Sequence, residues 1–133
     1  MKALATKPFR YVVLVAGALL GIGITQAHHA TVGIDNDARV TLTGTVKKFS
    51  FTNPHVWITL VVPNGEGGAD DWHLEGGSVS ILARNGWRAG TLATGDKVKL
   101  LISPRVDKSP GGEFYTILEK NGAPFELPVS KTN

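Results

Sequence analysis

The chain has 133 residues, no cysteine, and 14 Lys+Arg against 11 Asp+Glu, a formal net charge of +3. Without cysteine no disulfide framework can staple a fold, so packing must hold it. The basic pI of about 9.3 belongs to the first 27 residues, where Lys2, Lys7 and Arg10 have no acidic counterpart; from His28 onward basic and acidic residues number 11 each. That balance removes the basic footprint a nucleic-acid binder would need.

Residues 1–27 read as a secretory signal peptide, expected to be helical. Lys2, Lys7 and Arg10 make the positive segment, Tyr11 to Ile24 is uncharged and mostly apolar, and Thr25-Gln26-Ala27 offers small residues before a cleavage point. The apolar run is shorter than the roughly 20 residues a bilayer span needs. A periplasmic protein with no stable membrane anchor after cleavage is expected, a retained anchor being the alternative.

His28 to Arg39 (28–39) reads as a polar amino-terminal arm or loop, 40–128 as one β domain, and 129–133 as a tail. In Val40 to Phe51, Val40, Leu42, Gly44 and Val46 alternate with threonines and Lys47, the pattern of a half-buried strand. The apolar parity then passes to Phe49 and Phe51, which predicts a bulge near Lys47-Lys48. Gly44 on the inward face points to close backbone approach or strong coiling. Asn53-Pro54 marks a turn. Val56 to Val62 predicts the second strand, with Val56, Ile58, Leu60 and Val62 inward and His55, Trp57, Thr59 and Val61 on the other face.

Pro63 to Gly68 reads as a flexible turn, and Asp71 to Glu75 as a third strand with Trp72 and Leu74 inward, His73 and Glu75 outward. Ser78 is placed to cap a short helix running to Asn85, with Gly86 suited to the left-handed position beyond it. Lys97 to Ser103 predicts a fourth strand, Pro104 to Gly112 a polar loop, and Glu113 to Glu119 a fifth strand. Asn121-Gly122 signals a hairpin, with Phe125 and Leu127 in a short last strand. This order predicts a mainly β fold: a small five-stranded OB-like Greek-key barrel with one short helix between strands 3 and 4. An open β-sandwich is the alternative.

The stretches His28-His29, Val40 to Val46, Thr52-Asn53-Pro54-His55-Val56-Trp57, Trp72 to Glu75, Leu82 to Trp87 and Thr94 to Val98 together resemble a family of small exported proteobacterial proteins classed as a domain of unknown function, DUF6152. Phe51 stands where that family has a tryptophan. The resemblance implies a periplasmic OB-like domain and supplies no activity.

Cleavage after Ala27 would place an α-amine and the imidazoles of His28 and His29 at one chain end. That nitrogen-rich set suits a copper-type ion, with His55 as a third imidazole and Asp35 or Glu75 as an oxygen donor. The spacing matches no established metal motif. The plainer readings are a solvated terminus, a His55 ring bonded to a turn carbonyl, and a solvated His73. Trp57, His73 and Glu75 form the candidate ligand or partner surface, because Trp72 and Trp87 have core parity or placement. Catalysis is not expected: cysteine is absent, and Ser50, Ser78, Ser80, Ser103, Ser109 and Ser130 lie outside nucleophile-elbow motifs. The function expected is a periplasmic binding protein that holds a copper-type ion. A metal-free module contacting an unknown envelope protein or small ligand is the runner-up, and an oligosaccharide binder a third reading.

Overall fold

The computed structural model describes residues 33–128. The expected leader, His28, His29 and the tail 129–133 lie outside them. Six strands and one helix follow in the order β1 (Val40–Ser50), β2 (Trp57–Pro63), β3 (Ala69–Glu75), α1 (Val79–Arg84), β4 (Lys97–Pro104), β5 (Gly111–Lys120) and β6 (Ala123–Pro124). β1 pairs antiparallel with both β2 and β4, and β4 pairs with β5. A short parallel contact, His73 with Gly111 through Glu75 with Glu113, joins β3 to β5 and closes a five-stranded barrel. β1 serves two neighbours by bending. Its register slips between Val46 and Lys48, so Lys47 is the extra residue the parity change foretold. Gly44 lies inside that bend: a Cβ there would stand 2.9 Å from the Val61 carbonyl oxygen and 3.2 Å from the Leu60 Cβ. Only a bare backbone fits a strand coiled this tightly.

The inward faces of the five barrel strands form one core with Leu82, Trp87 and Leu92. Trp87, fully buried, touches Phe49 (ring centroids 6.0 Å apart) and Phe114 (5.1 Å). It reaches that position because α1 ends abruptly, with Gly86 at φ +90° and the Trp87 amide donating to the Leu82 carbonyl at 3.0 Å. At the other end of α1 the Ser78 hydroxyl accepts from the Ile81 amide, as a cap should. Asn53 supplies a second cap that the sequence did not suggest, its Oδ1 accepting from the Val79 amide at 3.2 Å. The Asn53–Pro54 peptide is cis. The Asn53 cap fastens the turn between β1 and β2 to the helix start, and Val56 exchanges backbone bonds with Gly76 and Gly77.

Several boundaries differ from expectation. The stretch Pro104 to Gly112 is only in part a loop, since β4 runs through Pro104 and β5 begins at Gly111. Gly111 and Gly112 look like turn residues in sequence, but they are the seam of the barrel. β3 starts at Ala69, two residues before the expected Asp71. β6 is Ala123–Pro124 rather than a strand through Phe125 and Leu127, whose side chains pack on the core instead. His55 precedes β2 and does not open it. The described part of the expected arm, 33–39, is docked: the Asp35 amide donates to the Pro104 carbonyl, the Val106 amide donates to the Gly33 carbonyl, and Ile34 bridges Arg105. Arg39 secures its end, lying 4.3 Å from the centre of the Tyr115 ring and donating to the Ser103 hydroxyl, which itself donates to the Ala38 carbonyl at 2.8 Å.

Asp96 anchors the turn before β4. Its carboxylate accepts from the Ala93 amide at 2.8 Å and the Asn121 side chain at 3.0 Å, and faces Lys120 at 3.2 Å. These bonds, the Ala93 amide first, hold its pKa below the ordinary value. No described helix is long and apolar enough to cross a membrane.

Candidate functional site

Antiparallel pairing of β2 with β3 sets their outward side chains in rows, because residues opposite one another project to the same side. Trp57 stands opposite Glu75, Thr59 opposite His73, and Val61 opposite Asp71. β1 extends the rows on one side, with Ser50 beside Trp57 and Lys48 beside Thr59. β5 extends them on the other, with Glu113 beside Glu75 and Gly111 beside His73. The three residues expected to form a ligand or partner surface, Trp57, His73 and Glu75, thus share one outer face.

Trp57 keeps 40% of its surface exposed. Trp72 is half-buried against the core and Trp87 wholly buried, so Trp57 is the most exposed of the three tryptophans. His55 reaches the same corner from the β1–β2 turn. Its Nδ1 lies 2.5 Å from Oε1 of Glu75, with both side chains about one third exposed. That contact ties the turn to the end of β3. His73 meets Thr59 rather than Glu75, Nδ1 to Oγ1 at 3.4 Å. Lys47, on the bulge, pairs with Asp71 at 2.6 Å; such an exposed pair adds little stability but neutralises that corner.

Beyond His73 the β4–β5 loop borders the face. The Arg105 side chain lies across Gly111, where a Cβ would stand 2.6 Å from its Nε. Glu113, next to Glu75, accepts from the Tyr115 hydroxyl at 3.0 Å. Burial raises the pKa of that hydroxyl. Sequence reading did not single out Arg105, Glu113 or Tyr115 because their proximity to β3 depends on a parallel pairing between distant segments. No local periodicity encodes it.

Among the described residues, no group of three or more His, Cys, Asp or Glu gathers as a metal site. Of the three histidines expected to hold copper only His55 is described, and the structure brings it to Glu75, one of the two expected oxygen donors; His28 and His29 lie outside the described residues. An open groove of about 640 Å³ lies elsewhere, between β5 (Tyr115 to Leu118) and the segment Pro124 to Leu127. None of Trp57, His73 or Glu75 lines it.

Strand order, closure and the β2–β3 face define a small Greek-key barrel of the OB type, a fold whose strands 2 and 3 and adjoining loops carry ligands in other proteins. The chain belongs to a family of unknown function (DUF6152), whose model matches residues 18–114. The match spans Trp57, His73, Glu75 and the buried Trp87, and ends at Phe114. No curated protein matches the chain.

Proposed function

We propose that the protein is an exported, periplasmic binding protein without catalytic activity, whose ligand or partner surface is the outer β2–β3 face. One observation carries this reading: the exposed indole of Trp57 stands in register with Glu75, whose carboxylate is held by His55. A large aromatic left in solvent beside polar groups already fixed in place is how recognition surfaces combine contact area with direction. Export is supported by the leader-like residues 1–27.

A photo-crosslinking residue at position 48, exposed beside Thr59 on the same face, in the full chain expressed in its native host, tests the face with the indole in place. Ile81, 48% exposed on α1, is the control position. Adducts specific to position 48 are expected. The same products at 48 and 81, or none at 48, would remove this face from consideration.

A second reading, copper binding through His28, His29 and His55, is favoured by the His55–Glu75 contact. Metal-bound histidines commonly turn their other ring nitrogen to a carboxylate. Intact mass of the exported protein and calorimetric titration with Cu(II) check it. One-to-one binding that His28→Ala abolishes and Glu75→Gln weakens about tenfold is expected. A mature terminus other than His28, or affinity no better than a control peptide, would end the metal reading.

A further inference from the structure

Resting on the face just proposed, we infer that its ligand is an uncharged oligosaccharide laid across β2 and β3 with one ring stacked on Trp57. The large hydrophobic side chains exposed among the described residues are Val40, Trp57, Ile81, Val106 and Leu118, and of these only Trp57 is flat and aromatic. A sugar ring has an apolar face of C–H bonds and a rim of hydroxyls, each both donor and acceptor. It therefore needs a flat apolar platform with mixed polar groups close by.

Trp57 has those groups. Glu75 is directly opposite, and its carboxylate offers about four lone-pair sites, more than one imidazole nitrogen uses. One row further on, about 7 Å along the strand, Thr59 and His73 supply a hydroxyl and an imidazole at the exposed surface. These groups are already positioned by cross-strand neighbours, so little side-chain entropy is lost when a ligand binds.

Charge narrows the class. The Trp57 row ends in Glu75 and Glu113, side by side across the β3–β5 seam; the cations of the face, Lys48 beside Thr59 and Arg105 across Gly111, belong to the next row, and Lys47 is matched by Asp71. An anionic chain, whether phosphate or uronate, would meet two carboxylates next to the indole. A protein partner fits less well, because a stable interface buries about 800 Å² on each side around an apolar centre. Here a single indole is surrounded by paired polar side chains. The face is also open, which suits a chain lying across it rather than a small molecule enclosed within it.

The test is an array of uncharged and anionic oligosaccharides probed with the full exported protein, followed by calorimetry on the best-bound tetrasaccharide. Binding confined to uncharged members is expected, weakened at least about tenfold by Trp57→Ala and several-fold by Thr59→Val, with the thermal midpoint of both variants unchanged. Selective binding of anionic members would overturn the proposal. Binding that Trp57→Ala leaves intact would overturn it and the assignment of the face together. An empty array overturns the sugar alone if crosslinks from position 48 capture a protein, and both readings if they capture nothing.

Discussion

Trp87→Ala is expected to destabilise the protein by about 3–5 kcal/mol, the range for removing a fully buried aromatic. For a domain of this size that lowers the thermal midpoint by about 15 °C or more. The indole sits where the barrel interior meets the helix-bearing end, between Phe49 and Phe114, and three elements rest on it: the far end of β1, the inward face of β5 and the exit of α1. Loss of the ring leaves a void that these elements cannot close without parting the β1–β4–β5 ladder. Trp87→Phe separates volume from polarity. Among the described residues the indole Nε1 has no hydrogen-bond partner, so phenylalanine removes a buried unpaired donor along with part of the ring, and the two effects oppose each other. A cost of roughly 1–2 kcal/mol is expected for Phe on that reasoning, measured by urea unfolding of both variants. If Phe costs as much as Ala, the N–H has an acceptor, such as a buried water.

Gly112→Ala is expected to cost about 3 kcal/mol or more, at the upper end of overpacking. Gly112 pairs with Pro104 on one side and with Leu74 on the other. A Cβ there would run into the Ser103 carbonyl oxygen, and a backbone atom cannot rotate away as a side chain can. Relief requires β4 and β5 to separate at the seam where β3 closes the barrel. Gly111→Ala should be milder, because its nearest obstacle is the Arg105 side chain, although the His73 carbonyl at 3.0 Å still limits the space. Gly90 is the control, because a methyl added there would meet nothing within 4 Å, and its alanine variant is expected to stay within about 0.5 kcal/mol. Equal midpoints for Gly90→Ala and Gly112→Ala would show that the seam yields more readily than a paired backbone should.

The candidate face was legible in part. Period-two alternation placed Trp57 and Thr59 on one side of β2, and His73 and Glu75 on one side of β3, and the pairing of those strands follows from their short connection. The partners of these residues were not legible. His55 meets Glu75 because the β1–β2 turn folds back to the end of β3 and the start of α1. Asn53 reads as half of a turn dipeptide and also caps the helix. In both cases the decisive contact joins segments more than 15 residues apart, for which a single sequence carries no local signal.

The amino-acid sequence by itself determined the mainly β class, the strand parities, the bulge at Lys47, the close approach at Gly44 and the Ser78 cap, because each is a short-range consequence of side-chain period, backbone sterics or a local hydrogen bond. Only the tertiary structure decided that Gly111 and Gly112 are barrel seam rather than loop, that the polar segment 33–39 is docked by Arg39, Ser103 and the backbone of β4, and that Glu113 stands beside Glu75. Those outcomes depend on which distant strand edge satisfies the unpaired backbone groups of β3 and β5, and barrel closure, a property of the whole chain, makes that choice.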